Sequence, residues 1–308
     1  MRACPAPRRT SSRGYACIIS DLGHRSGASD GLWAWHDLEA KVDFGFRASH
    51  RATVAGKALT EAFYGRRPAR SYFMGCSTGG RQGLVTAQRF PDDFDGVIAG
   101  APVVSEAATA MNFIWNLQVA ARTDGAPAFG RTELELVHAA VLAAADRDDG
   151  IEDGVPGDPR RVRVDLDGLQ CTGGRTRGCL TSAQAEAVRR IYAGPRRADG
   201  TPVSFAGAPL PGSELGWGIF APGPNGRAPS ERSGVDTTRY MMSDWGPGWS
   251  FRDFDWERDP PRLAEMEVLY SANHPDLRAF ERRGGKLLVY HGWADPIVTP
   301  LGSVDYYD

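Results

Sequence analysis

Apolar residues fall along the chain in two periods. Four short and nearly continuous apolar runs, Tyr15 to Ser20 (YACIIS), Ser71 to Met74 (SYFM), Gly96 to Ala99 (GVIA) and Lys286 to Tyr290 (KLLVY), have the β-branched and aromatic content of strands. They do not alternate with polar residues, which suits a parallel sheet covered on both faces. Elsewhere apolar residues recur at spacings of three and four, and this predicts helices over about 47–63, 79–90, 131–145 and 181–193. Strand, glycine and helix in succession predict an α/β sheet with crossover helices. The stretch between Ala99 and Lys286 is too long for one crossover and predicts an insertion. Its second half, about 194–260, is rich in glycine, proline and aromatics (GWGIFAPGPNG, SDWGPGWSFRDFDW). That texture fits a lid over a site as well as an ordinary irregular subdomain.

Composition removes several function classes. The 308 residues are 42% hydrophobic and 24% charged with a formal net charge of -2, which is not the signature of a disordered chain. Arginine outnumbers lysine 33 to 3, but 38 acidic residues offset the basic ones and no basic block forms, so a nucleic-acid partner is not expected. No apolar run approaches the roughly 18 residues of a helical membrane span, so no membrane partner is expected either. Residues 1 to 14 (MRACPAPRRTSSRG) are basic but lack the apolar segment of a secretory signal, leaving a cytosolic protein or a start that lies upstream. Cys4, Cys17, Cys76, Cys171 and Cys179 form neither a CxxC pair nor a zinc-spaced cluster, and their odd number predicts at least one without a partner in the chain.

Candidate chemistry centres on Gly75-Cys76-Ser77-Thr78-Gly79, a G-x-S-x-G between the strand SYFM and the helical run GRQGLVTAQRF. In that setting the serine stands on a sharp strand-to-helix turn, strained enough to require small residues two positions to either side. The N–H of Thr78 then faces a developing oxyanion, where one such donor lowers a barrier by about 3 kcal/mol. A serine nucleophile needs a base oriented by an acid, and in the α/β-hydrolase fold they follow in the order Ser, Asp or Glu, His. Asp295, in HGWADP just past KLLVY, stands at the carboxyl end of a strand, where catalytic groups collect. The histidines are His24, His36, His50, His138, His274 and His291, and all precede Asp295; the thirteen residues after it contain none. His291 and His24 read as strand-end structural residues, so the triad is expected to be incomplete.

Five stretches carry a family resemblance: RGYACIISDLGH (13–24), WAWHDLEAKVDFGFRASHRAT (33–53), YFMGCSTGGRQGLVTAQRFPDDFDGVIAGAPV (72–103), CLTSAQAEAVRRIYAGP (179–195) and LLVYHGWADPIVTP (287–300). Through them the chain resembles the tannases and feruloyl esterases, α/β-hydrolases that include the mono(hydroxyethyl) terephthalate hydrolases. The resemblance implies an α/β-hydrolase sheet with a large inserted lid domain: residues 1–103 and 285–308 as core, 104–284 as lid. It places the nucleophile at Ser77, the acid at Asp295 and the oxyanion donor at Thr78. It also implies a bond from Cys76 to a cysteine after the catalytic histidine, both expected beyond Asp308, and a strand with a Gly-rich loop before Met1. The core is accordingly expected to be truncated at both ends.

Closely spaced carboxylates in Asp146-Arg147-Asp148-Asp149-Gly150-Ile151-Glu152-Asp153-Gly154-Val155 suit either a hard cation or a solvated acidic turn, and the spacing is not that of an EF-hand. The resemblance implies a Ca2+ loop, with side chains from Asp146, Asp149 and Asp153 and carbonyls from Ile151 and Val155. A further family disulfide would span positions held here by Ala145 and Val162, so it is expected to be lost. The resemblance pairs Cys171 with Cys179, which points to an oxidising compartment and a secreted or periplasmic protein. The expected function is a serine carboxylic ester hydrolase acting on small aromatic esters, gallate, ferulate or similar, through an acyl-enzyme. Trp217, Trp245, Trp249, Phe251 and Phe254 are candidates for an acyl pocket or for core. The alternative readings are an inactive calcium-binding fragment or relic without the catalytic histidine, and a different α/β-hydrolase chemistry such as peptide cleavage.

Overall fold

A computed structural model describes residues 13–27, 29–203 and 207–308; Cys4 and residues 1–12 of the basic N-terminal stretch lie outside them. In chain order the elements are α1 (Leu38–Val42), α2 (Ala48–Tyr64), β1 (Tyr72–Cys76), α3 (Thr78–Arg89), β2 (Gly96–Gly100), α4 (Glu106–Ala120), α5 (Arg131–Ala145), α6 (Ser182–Ala193), α7 (Glu231–Asp236), α8 (Pro260–Ala264), α9 (Glu267–Tyr270), α10 (Arg278–Arg282), β3 (Lys286–Tyr290) and α11 (Pro300–Tyr307). The three strands make one parallel sheet in the order β1-β2-β3, with Tyr72 opposite Gly96 and Gly96 opposite Lys286.

Among the strands, only the central one is covered on both faces. Val97 and Ala99 of β2 are buried, whereas Tyr72 and Met74 of β1 and Leu288, Val289 and Tyr290 of β3 are exposed. The predicted strand at Tyr15 to Ser20 does not form. That segment runs beside β1, with the Tyr15 ring edge-on to Tyr72 at 6.3 Å, but it adopts no strand and Ile19 is 73% exposed. Strand propensity describes how a residue fits a pleated, half-buried surface, and without ladder partners it makes no strand.

The four predicted helices appear as α2, α3, α5 and α6, with ends within one residue. α6 starts on a reciprocal cap: Gln184 N–H donates to Thr181 Oγ1 at 3.2 Å and Thr181 N–H to Gln184 Oε1 at 2.8 Å, satisfying two otherwise orphaned donors. α4 shows no helical period in the sequence because twelve of its fifteen residues are buried, and a helix covered nearly all round has no polar face to set a period. It forms the spine of the region between β2 and β3. One cluster on it joins Ala110, Ile114, Met242, Phe251, Phe254, Leu263 and Tyr270; a second joins Trp115, Val137, Leu180, Ile191, Trp217 and Phe220. Trp217, Phe251 and Phe254 are therefore core, and Trp245 and Trp249 pack against the first cluster. Among the described residues no helix is long and apolar enough to cross a membrane.

Candidate active site

Ser77 lies between β1 and α3 with φ 62° and ψ -123°, a positive φ that a residue with a side chain adopts only where its surroundings enforce it. Its N–H donates to Gly100 O at 2.9 Å, and its carbonyl accepts the N–H of Arg81 at 3.0 Å. The turn is thus stitched to the end of β2 and to the first turn of α3. A Cβ on Gly75 would stand 2.3 Å from Gly79 O and 2.8 Å from Gly79 Cα, so the two motif glycines touch through their backbones and neither the turn nor the serine conformation survives a side chain at position 75. Thr78 opens α3. Its N–H belongs to the first turn, whose donors have no intrahelical acceptor and carry the positive end of the helix dipole.

Behind the turn lies Arg81, fully buried. Its guanidinium donates to Gly45 O at 2.9 Å, Phe44 O at 3.1 Å and Tyr270 O at 3.3 Å, and its Nε stands 3.6 Å from the buried carboxylate of Glu106. Phe44 and Gly45 sit in a π-helical turn, Asp43–Arg47, where the wider winding breaks the regular ladder of backbone bonds. Burial pushes the Glu106 carboxyl up from the usual carboxylate range, and the arginine opposes this. Arg81 therefore fastens α3, the helix that follows Ser77, to α4, α9 and the segment before α2. Sequence reasoning missed it, because a lone arginine in a glycine-rich helix start carries no signal of burial.

Asp295 follows β3 at the same carboxyl edge of the parallel sheet as Ser77. Its Oδ1 accepts N–H groups from Ile297 at 2.9 Å and Val298 at 3.1 Å, which fixes the carboxylate through its own loop. His291 Nε2 stands 3.8 Å from Asp295 Oδ2, but that ring is committed elsewhere: Nε2 is 2.8 Å from Val298 O and Nδ1 is 2.7 Å from Ser303 Oγ. It holds the loop to α11, the structural part expected of it. His24 stacks on Trp33 at 4.0 Å and meets Phe44 edge-on. Among the described residues Ser77 Oγ makes no hydrogen bond to a histidine.

In the acidic loop one carboxylate oxygen of each expected side-chain ligand is already engaged. Asp146 Oδ1 accepts from Asp153 and Gly154, Asp149 Oδ1 from Ile151, and Asp153 Oδ1 from Val155. Among the described residues no group of three or more His, Cys, Asp or Glu side chains is arranged to hold a metal ion. These aspartates shape the loop's turns, and gathering them around a cation requires a local rearrangement. Cys171 and Cys179 are bonded across the loop that brings Gln170 beside Leu180.

Comparison with known proteins adds a second line of evidence. The family model described as tannase and feruloyl esterase matches residues 5–227 and 249–308. An uncharacterized esterase of Xanthomonas campestris pv. campestris is 34% identical over 96% of this chain and 53% of its own length. The mono(2-hydroxyethyl) terephthalate hydrolase of Piscinibacter sakaiensis is 29% identical over 96% of this chain and 58% of its own length. A crystal structure of an esterase from Aspergillus oryzae superposes with a TM-score of 0.81 at 31% identity, covering 93% of this chain and 55% of the other. The chain thus spans little more than half the length of the relatives it matches, and the likeness supports an α/β-hydrolase type of fold.

Proposed function

Because the chain belongs to the tannase and feruloyl esterase family, we propose that it supplies the nucleophile and acid of a serine carboxylic ester hydrolase acting on small aromatic esters. The observation that carries this reading is the backbone of Ser77, held at φ 62° between β1 and α3. In the strand-turn-helix setting of a G-x-S-x-G, this backbone is what turns the serine hydroxyl toward a substrate. In the reaction Ser77 Oγ attacks the ester carbonyl and a histidine removes its proton. Thr78 N–H donates to the oxyanion and Asp295 keeps the imidazole oriented. Collapse expels the alcohol, and water then hydrolyses the acyl-enzyme to the aromatic acid. His291 is not assigned as the base, since both its ring nitrogens already have partners.

The aromatic substrate class is supported by the names of the relatives, which include a terephthalate ester hydrolase. Calcium belongs to the reading as a structural ion in the 146–155 loop. The donor set of aspartates and main-chain carbonyls has the chemistry of a hard-cation site once Asp146, Asp149 and Asp153 turn inward. The Cys171–Cys179 bond supports secretion or a periplasmic location. Hydrolysis of methyl ferulate and methyl gallate by the chain beside a Ser77→Ala control tests the proposal. Turnover that vanishes in the control supports it and places the base among the six histidines present. Absence of turnover, restored by no added calcium, overturns it for this chain.

A further inference from the structure

We infer that the 3₁₀ turn Glu214–Ile219 is the seat that positions Asp295, with Gly216 as its positioning residue; the inference rests on the esterase reading above. The turn itself is rigid. Glu214 is fully buried; its Oε1 accepts the Tyr192 hydroxyl at 2.5 Å and the Gly212 N–H at 2.7 Å, and its Oε2 lies 2.8 Å from His138 Nδ1. A buried carboxylate with this many partners is costly to move. Trp217, also fully buried, donates its indole N–H to Ser213 Oγ at 2.9 Å. The turn is thereby tied to α5 through His138 and to α6 through Tyr192.

This seat meets the acid loop at close quarters. A Cβ on Gly216 would stand 2.8 Å from Pro296 Cγ, and a proline ring has no flexible end with which to yield. Ile297 packs against the cluster that contains Trp217 and Phe220. Pro296 and Ile297 directly follow Asp295, and the Ile297 N–H is one of the two donors that hold Asp295 Oδ1. Any displacement at 296–297 therefore rotates the carboxylate that orients the base. Arg160, paired with Asp158 through two bonds of 2.9 Å, lies over Trp293 of the same loop at 5.1 Å, so the loop is held at a second point.

Gly218 provides an internal control. It belongs to the same turn, yet a Cβ there meets nothing within 4 Å. Gly216→Ala and Gly218→Ala are the same chemical change on one element, and they differ only in the contact with Pro296. Both variants of the full chain are compared by hydrogen exchange of the 291–299 segment and by ester kinetics. Gly216→Ala is expected to speed exchange in 291–299 and to lower kcat by about 10- to 100-fold, the penalty of an ångström-scale misplacement, while KM stays within about twofold. Gly218→Ala is expected to behave as the parent chain. Equal exchange and equal kcat in the two variants overturn the inference, as does a fall in melting temperature without a split between kcat and KM. Should Gly216→Ala fail to fold, Tyr192→Phe removes the donor to Glu214 without added volume, and unchanged exchange in 291–299 then overturns the inference. A parent chain without turnover defeats the esterase reading alone, because exchange still decides whether the seat holds the loop.

Discussion

The turn carrying Ser77 and the acidic loop at 146–155 are both short, both contain glycine, and both stand close to a helix end, yet they are held by different means. Around Ser77 the chain supplies every restraint: ladder partners on β2, contact between Gly75 and Gly79, and the buried guanidinium of Arg81. Around Asp149 the restraints are short Asx-type bonds and bonds to Asp146 across the loop, within a largely exposed segment. The first geometry is set before any ligand arrives. Under the calcium reading proposed above, the second would take its final arrangement from the ion, and a site of that kind couples folding energy to ligand concentration.

The strongest way to test this contrast is Arg81→Met, which strands the Glu106 carboxylate in the core. Breaking a buried pair in this way costs about 3–5 kcal/mol, read as a lower urea midpoint. The loss is expected to be the same with and without calcium; a calcium-dependent loss would show that the turn is not self-supporting. Chelation comes next. With calcium at about a hundredfold over its dissociation constant, removal costs about 2.7 kcal/mol, seen as a lower Tm, and Asp146→Asn is expected to abolish the response. An unchanged Tm on chelation would make the acidic loop as ligand-independent as the serine turn. Replacing Cys171 and Cys179 by serine removes a short crosslink on the same side of the comparison, for a loss of about 2–3 kcal/mol; two alkylated thiols on unreduced peptide mapping would remove the premise. The smallest change is Thr181→Ala, which deletes the α6 cap for about 1 kcal/mol and should leave both sites unaltered.

Much of the candidate site's sheet edge was legible because it is encoded locally. G-x-S-x-G between an apolar run and a helical period specifies a strand-turn-helix, and Asp295 falls just past the run that becomes β3. The four amphipathic helices were equally plain. What stayed hidden depends on contacts between residues far apart in the chain. α4 is covered on nearly all sides, its polar Glu106, Asn112 and Asn116 included; Arg81 looks like any surface arginine; Gly216 meets Pro296 across eighty positions. The run at Tyr15 to Ser20 failed in the opposite direction, having strand composition without a partner in the described sheet. The aromatics of 194–260 were open to two readings, and burial decides for core in the cases of Trp217, Phe251 and Phe254.

The sheet order has a kinetic consequence. β1 and β2 pair residues 72 and 96, across one helix, whereas β2 and β3 pair residues 96 and 286. Closing the first pairing encloses a short loop that carries its own crossover, so β1, α3 and β2 can nucleate together and bend the Ser77 backbone early. The second pairing is expected to follow condensation of the two α4 clusters, because an uncollapsed connection of that length has a larger closure entropy and a slower search. Asp295 is then expected to reach the sheet edge after Ser77. On that path the proposed nucleophile and the proposed acid would belong to different stages, and slower collapse of the insertion is expected to lengthen the interval between formation of the serine turn and docking of the Asp295 loop.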